Sequence, residues 1–214
     1  MSKSNTILEL KNQGIVAVIR GESLKEGIEV SKACIKGGLK AIEVAYTNSN
    51  ASEIIKELTQ IYSNNEDALI GAGTVLDEST ARLAILSGAK YVVSPSFNKE
   101  TAILCNRYSI PYIPGCMTIK EIVTALESGS EIIKLFPGSC FGKDYIGAIK
   151  APLPQVSIMV TGGVNLDNIT DWFKVDIDAV GIGGELNKLG SNGDFEKITE
   201  IASEYVRKVK EVRA

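Results

Sequence analysis

Eight short apolar runs recur along the chain, and this repeat restricts the fold more than any other feature of the sequence. The runs lie at 15–19, 41–45, 69–72, 91–94, 111–113, 131–136, 157–160 and 178–182. Segments with helical spacing separate them, such as the one that carries Leu24, Ile28, Ala33 and Ile35. Each interval suits one strand, one helix and two short loops. The pattern predicts an α/β fold, a (β/α)8 TIM barrel, with a doubly wound open sheet as the alternative.

The length of the chain predicts one domain. A chain of 214 residues buries one large core, and it is compact for a barrel that typically needs about 250 residues. Residues 5–13 have the spacing of a short amphipathic helix. We therefore expect a single barrel domain over residues 1–214, with a short N-terminal helix that closes one end.

Charge and cysteine usage indicate which partners and compartment to expect. The net charge is -3 and both signs are interspersed, so neither a nucleic-acid surface nor a membrane-binding stretch is predicted. No CxxC spacing occurs among the four cysteines, which fits packing residues in a reduced protein: Cys34, Cys105, Cys116 and Cys140. The first 14 residues lack the apolar core of a signal peptide. We expect a cytoplasmic protein with a small-molecule partner.

The absence of histidine narrows the possible chemistry. Histidine is the commonest acid/base group near neutral pH and the commonest metal ligand, and this chain has none. A Ser-His-Asp triad and a histidine-ligated zinc site are both excluded. Proton transfer must therefore depend on carboxylates, lysine, tyrosine or cysteine, and we expect no metal site.

Two charged residues interrupt runs that otherwise predict buried strands. Lys134 lies within Ile-Ile-Lys-Leu-Phe, and Glu43 lies within Ala-Ile-Glu-Val-Ala. A barrel strand is covered on both faces, so each charge requires a partner or a chemical role. One hypothesis is a buried salt bridge that serves packing. The other makes Lys134 an amine nucleophile toward a ketone and Glu43 its acid/base.

Other polar and glycine residues follow the predicted strands, where barrel active sites form. Arg20 and Thr74 are candidates for binding a substrate carboxylate or phosphate, although Arg20 could equally be solvated and Thr74 could cap a helix. Thr47 and Pro95 follow the second and fourth strands. Two glycine stretches follow the last two strands, Gly162 with Gly163 and Gly183 with Gly184. They predict a phosphate site, with tight turns as the alternative.

Taken in order, eight motifs make the chain resemble the KDPG/KHG aldolases, which act on 2-dehydro-3-deoxy-phosphogluconate (KDPG) and 4-hydroxy-2-oxoglutarate (KHG). The motifs are IVAVIR at 15–20, IEVAYTN at 42–48, GAGTVLD at 71–77, VSPSFN at 93–98, IPGCMT at 113–118, IKLFPG at 133–138, TGGVNLDN at 161–168 and VGIGGEL at 180–186. This resemblance implies a homotrimeric (β/α)8 barrel and a class I aldolase that releases pyruvate without a metal or other cofactor.

The resemblance also implies roles for individual residues. Lys134 corresponds to the Schiff-base lysine and Glu43 to the general acid/base. Residues that line the substrate or pyruvate pocket correspond to Arg20, Thr74, Pro95 and Phe136, and we add Thr47 for its place after the second strand. The phosphate-binding backbone corresponds to Gly162, Gly163, Gly183 and Gly184. Glu185 departs from the family, because many relatives carry serine there.

The function that follows is cleavage of a 2-keto-3-deoxy sugar acid. KDPG would give pyruvate and glyceraldehyde 3-phosphate, as in the Entner-Doudoroff route, and KHG would give pyruvate and glyoxylate. The galactonate epimer or an unphosphorylated acid is an alternative substrate. A sugar-phosphate isomerase or epimerase, or a binding barrel without catalysis, would use the same fold without an imine at Lys134.

Overall fold

One parallel sheet forms the centre of the molecule. The structure is a computed structural model and describes residues 1–65 and 68–214. Within those ranges the sheet has nine strand segments: β1 (Ile15–Ile19), β2 (Ala41–Ala45), β3 (Leu69–Gly73), β4 (Val92–Val93), β5 (Tyr112–Ile113), β6 (Gly115–Cys116), β7 (Ile133–Leu135), β8 (Ile158–Thr161) and β9 (Ala179–Ile182). Their order is β5-β4-β3-β2-β1-β9-β8-β7-β6, with every pair parallel.

The ring closes at Pro114, and here the expectation of eight strands needs a correction. Among residues 1–65 and 68–214, β5 pairs only with β4 and β6 pairs only with β7, although the two segments follow each other in the chain. Proline has no backbone N–H to give to a ladder, so the fifth strand of the barrel is divided in two. A Cβ at Gly115 would overlap the backbone of Pro95, so glycine is required where β6 meets the end of β4. The (β/α)8 TIM barrel is otherwise confirmed.

Helices surround the sheet on its outer side. The same described ranges contain α1 (Lys3–Gln13), α2 (Leu24–Lys36), α3 (Ala51–Ile61), α4 (Glu78–Leu86), α5 (Lys99–Arg107), α6 (Ile119–Glu127), α7 (Asp144–Lys150), α8 (Ile169–Phe173), α9 (Gly184–Ser191) and α10 (Phe195–Arg213). The predicted N-terminal helix is confirmed as α1. None of the helices in the described part of the chain is long and apolar enough to cross a bilayer.

The core has two layers because the strands are buried on both faces. The outer layer packs strands against helices, and the inner layer fills the barrel. Ile7 and Leu10 of α1 belong to the inner layer, so this helix closes the barrel at the amino ends of the strands. Three cysteines are buried as predicted, whereas Cys140 is exposed, so the prediction of a packing role is wrong for that residue.

Candidate active site

Lys134 and Glu43 form an ion pair inside the barrel. Lys134 is on β7 and Glu43 is on β2, and the distance from Nζ to Oε1 is 3.4 Å. Lys134 is 5% exposed and Glu43 is 0% exposed. The two interruptions noticed in the sequence therefore meet in space. In a site that excludes water this strongly, the pair interacts much more strongly than it would on the surface.

Space for the carboxylate comes from a glycine on the neighbouring strand. A Cβ at Gly73 of β3 would overlap the Glu43 carboxylate. Any other residue at this position would displace the acid from Lys134. Glycine at position 73 therefore leaves the space that the Glu43 carboxylate occupies. The sequence motif alone did not indicate this requirement.

Phe136 forms part of the wall above the amine. It lies two residues after Lys134, on the same inward face of the chain, and its ring centroid is 5.3 Å from the Lys134 Nζ. The half-buried ring gives the amine an apolar neighbour. It can attract the ammonium form and also contact the carbon skeleton of a bound ligand.

Several buried oxygens of the barrel have no hydrogen-bond partner among the described residues, and two of them belong to Glu43 and to a residue of the cavity wall. They are Oε2 of Glu43 and Oγ1 of Thr161, the last residue of β8. Buried polar atoms are nearly always paired, so these two are free to receive a ligand or water. Thr161 was not among the predicted site residues. Its signal in the sequence was a hydroxyl at a strand end, directly before the Gly162-Gly163 pair.

A cavity of about 530 Å³ opens at the carboxyl ends of the strands, and Phe136 separates it from Lys134, which does not itself line the wall. Its wall includes Phe136, Thr161, Arg20, Tyr205 and the four predicted phosphate-binding glycines, Gly162, Gly163, Gly183 and Gly184. Two cavities of about 480 Å³ each lie near the amino ends of strands, away from Lys134. Because barrel active sites form at the carboxyl ends, the cavity next to Phe136 is the candidate substrate site.

The two glycine loops line this cavity. Gly162 and Gly163 have φ of 91° and 83°, a left-handed conformation that favours glycine. Gly183 is the N-cap of α9 and lines the cavity, so the amino end of that helix lies at the cavity wall. The positive end of a helix and free N–H groups together favour an anion such as phosphate.

Arg20 and Glu185 are the charged side chains among the described residues that line the cavity. Burial, and after it the Glu185 carboxylate, raise the pKa of Tyr205 to about 12. The effect indicates that the negative charge of Glu185 is near this wall of the cavity. One cation and one anion therefore share the mouth of the site.

Two asparagines that the sequence analysis missed hold the Arg20 loop. The Arg20 N–H donates to Oδ1 of Asn187 at 2.8 Å, and Nδ2 of Asn48 donates to the Arg20 carbonyl at 2.8 Å. Nδ2 of Asn187 also donates to the carbonyls of Val18 and Gly183, at 2.8 and 2.6 Å. These bonds tie the end of β1 to the start of α9. Arg20 is thereby fixed beside the glycine loops.

The remaining predicted residues are at strand ends but outside the cavity wall. Thr47 is exposed after β2, and Pro95 is half-buried after β4. Thr74 has φ of 55°, which is strained for a β-branched residue and is typical of functional positions. Thr74 does not cap a helix, because Asp77 caps α4 by accepting from the Thr80 N–H. A substrate-binding role for the three residues stays a prediction.

The comparison with known proteins agrees with this geometry. The model of the KDPG and KHG aldolase family matches residues 7–201. The chain belongs to this family. The barrel and the alternation of strands and helices are those of KDPG aldolases, and family members are aldehyde-lyases.

Three KDPG/KHG-type aldolases illustrate the similarity. The Escherichia coli 2-dehydro-3-deoxy-6-phosphogalactonate aldolase is 31% identical, over 92% of this chain and 95% of its own length. The Haemophilus influenzae 2-dehydro-3-deoxy-phosphogluconate aldolase is 32% identical, over 95% of this chain and 96% of its own. The solved KDPG aldolase of Legionella pneumophila, with pyruvate captured as a covalent carbinolamine, is 27% identical with a TM-score of 0.84, covering 91% of this chain and 95% of its own.

Proposed function

We propose that this barrel is a class I aldolase that cleaves 2-keto-3-deoxy sugar acids to pyruvate and an aldehyde. The observation that carries the proposal is the buried Lys134 amine, 3.4 Å from the Glu43 carboxylate and next to Phe136, which lines an open cavity. An amine nucleophile with an adjacent acid/base is the arrangement that imine chemistry requires. The carbinolamine captured in the Legionella enzyme supports the same chemistry here.

In the proposed reaction, the Lys134 amine adds to the C2 ketone and gives a carbinolamine. Glu43, which takes the proton of the Lys134 ammonium before the addition, gives it to the carbinolamine hydroxyl, so that water leaves and an iminium ion remains. The iminium ion withdraws electrons from C3. Glu43 then takes the proton of the C4 hydroxyl, the C3–C4 bond breaks, and its electrons form an enamine as the aldehyde leaves. A proton added at C3 and water added at C2 release pyruvate and restore the amine. Glu43 is buried beside the amine, so it can take the proton from the C4 hydroxyl and later give a proton to C3.

KDPG is the substrate that we propose first, with glyceraldehyde 3-phosphate as the aldehyde and the Entner-Doudoroff route as the setting. The names of the Haemophilus and Escherichia relatives support phosphorylated gluconate and galactonate substrates. The glycine loops offer N–H groups for a distal phosphate. KHG cleavage to pyruvate and glyoxylate is a second activity of the same site, and an unphosphorylated acid is the alternative substrate.

Borohydride trapping tests the proposal directly. Reduction of the enzyme in the presence of pyruvate should attach one three-carbon adduct, and peptide mass spectrometry should find it on Lys134. An adduct on another lysine would contradict the assignment of the nucleophile. Efficient release of pyruvate without any trapped adduct would contradict imine chemistry, and an isomerase or a binding barrel would yield no pyruvate in a lactate dehydrogenase coupled assay.

Replacing Glu185 should improve the use of phosphorylated substrate. The carboxylate shares the cavity wall with the glycine loops and repels a phosphate dianion. We expect Glu185→Ser to raise kcat/KM for KDPG about tenfold, and to change kcat/KM for the unphosphorylated acid less than about twofold. Steady-state kinetics on both substrates give the ratio of kcat/KM for KDPG to kcat/KM for the unphosphorylated acid.

Glu196→Ser is the matched control for Glu185→Ser. Glu196 is an exposed carboxylate in the first turn of α10 and does not line the cavity. Its removal should leave both kcat/KM values unchanged. If Glu185→Ser raised kcat/KM equally for KDPG and for the unphosphorylated acid, repulsion between Glu185 and the phosphate would not be the cause of the increase.

We also propose a single-domain cytoplasmic enzyme that assembles as a homotrimer. The three buried cysteines are free thiols, which fits a reducing compartment. Four large apolar side chains are exposed on α4 and at α5, which contact each other, and we call them the α4–α5 apolar face: Leu83, Leu86, Ile103 and Tyr108. A patch of this kind supports an interface with further copies of the chain.

Introducing a charge on the α4–α5 apolar face should break the assembly. Leu86 is 66% exposed, and an uncompensated carboxylate there would have to be desolvated in the interface. We expect Leu86→Glu to elute as a folded monomer in size-exclusion chromatography with light scattering. Leu8→Glu, at a 58% exposed site on α1, is the control and should leave the trimer intact. An unchanged mass for Leu86→Glu would exclude this face.

A further inference from the structure

Tyr91 has a hydroxyl that the mechanism above does not use. The residue lies immediately before β4 and is packed in the inner apolar layer of the barrel. Its hydroxyl is buried and has no hydrogen-bond partner within residues 1–65 and 68–214, as is also true of Oε2 of Glu43. Burial, and after it the Glu43 carboxylate, raise the pKa of the Tyr91 phenol well above its usual value. The Tyr91 phenol therefore keeps its proton and can donate a hydrogen bond. Oε2 of Glu43 is a nearby acceptor without a donor.

Two glycines of β3 locate both groups. A Cβ at Gly71 would overlap Cζ of Tyr91, and a Cβ at Gly73 would overlap the Glu43 carboxylate. Gly71 and Gly73 are on the same face of the strand, about 6.7 Å apart. The phenol and the carboxylate thus occupy successive positions along the inside of β3. The Tyr91 hydroxyl extends beyond Cζ, and one water molecule that accepts from it and donates to the carboxylate can join two oxygens up to about 5.6 Å apart.

We propose that Tyr91 is a positioning residue for Glu43, and that its hydroxyl donates through one internal water to Oε2. This inference rests on the proposed aldolase function. The water would leave Oε1 to face Lys134 and the substrate hydroxyl, so the carboxylate could not turn away from the reacting atoms. Buried waters commonly join polar groups that otherwise lack partners, and the two orphan oxygens here supply a donor and an acceptor.

The pH dependence of catalysis reports on this contact. The titratable groups that face Glu43 within the described part of the barrel are Lys134 from β7 and Tyr91 from the β4 side, with Arg20 at the mouth. The adjoining interior residues of β1 and β3 do not titrate: Val16, Val18, Gly71 and Gly73. A hydrogen bond to the charged form of a carboxylate makes protonation harder. Loss of the Tyr91 hydroxyl must therefore move the acidic limb of the profile of kcat/KM against pH to higher pH.

The test compares Tyr91→Phe with Tyr112→Phe in the intact enzyme. Tyr112 is also buried, but its hydroxyl is 2.7 Å from Oγ of Ser94 and its ring is in the outer layer. For Tyr91→Phe we expect the midpoint of the acidic limb of kcat/KM for KDPG to move to higher pH by about half a unit or more. We also expect kcat to fall about tenfold while borohydride trapping of pyruvate at Lys134 persists. Tyr112→Phe should keep the wild-type profile.

Other outcomes overturn the inference. An unchanged pH profile in Tyr91→Phe, together with a higher melting temperature, would mean that the hydroxyl is an unpaired group whose removal is beneficial. Equal shifts in both variants would mean a general effect of core change. If Tyr91→Phe does not fold, a high-resolution crystal structure of the wild type decides, because an absent water between Tyr91 and Oε2 also overturns the inference. Failure of the aldolase proposal is distinct, because the wild type would then release no pyruvate.

Discussion

Lys134→Met will release no measurable pyruvate from KDPG and will give no borohydride adduct. The variant keeps a side chain of similar length but has no amine to form the imine. We expect kcat to fall on the order of 10⁴-fold or more, the scale seen when a covalent nucleophile is removed. The coupled lactate dehydrogenase assay and intact-protein mass spectrometry measure the two effects.

A stability control must accompany this variant, because Lys134→Met leaves Glu43 buried without its partner. Breaking a buried ion pair in this way typically costs about 3–5 kcal/mol. Combining Lys134→Met with Glu43→Gln removes both charges and should recover part of that loss, as measured by urea unfolding. The double variant should be folded and still inactive. Appreciable turnover by it would exclude Lys134 as the nucleophile.

Glu43→Gln should separate imine formation from bond cleavage. The glutamine side chain occupies the same space next to Gly73, but its amide cannot accept the proton of the C4 hydroxyl. We expect kcat for KDPG to fall about 10²- to 10⁴-fold, the range for a positioned general acid/base, while pyruvate is still trapped at Lys134. Single-turnover kinetics with borohydride quenching would locate the slowed step after imine formation.

Glu131→Gln is the matched control for Glu43→Gln. Glu131 lies three residues before Lys134, but its side chain is exposed and forms a surface ion pair of 3.8 Å with Lys3. Its neutralisation should change neither kcat nor trapping, because exposed ion pairs contribute little. Near-normal turnover in Glu43→Gln would remove that residue from the mechanism.

The strands and the reactive pair were predictable because each leaves a local signal. β1 and β2 coincide with the predicted runs at 15–19 and 41–45, since a strand buried on both faces is apolar throughout. Against that background a single charge is conspicuous, and Lys134 and Glu43 each interrupt an apolar run. Parallel strands in a barrel then bring such residues to one interior.

Features that depend on distant packing left no such signal. Thr161 and Tyr91 became notable only once their hydroxyls proved to be buried without partners. The positive φ of Thr74 runs against the preference of its own side chain, so only the surrounding fold can impose it. The division of the fifth strand likewise depends on which neighbour each half meets across Pro114.

That division has a further consequence for the wall of the barrel. Each half of the fifth strand bonds to one side only, β5 to β4 and β6 to β7, so neither side is held along a full ladder. Amide protons at this seam should exchange with solvent more readily than those of the fully laddered β1 to β3. The Lys134 N–H itself donates to the Pro114 carbonyl at 2.8 Å. The strand that carries the nucleophile therefore borders the seam at which we expect the ring to open more readily than at β1 to β3.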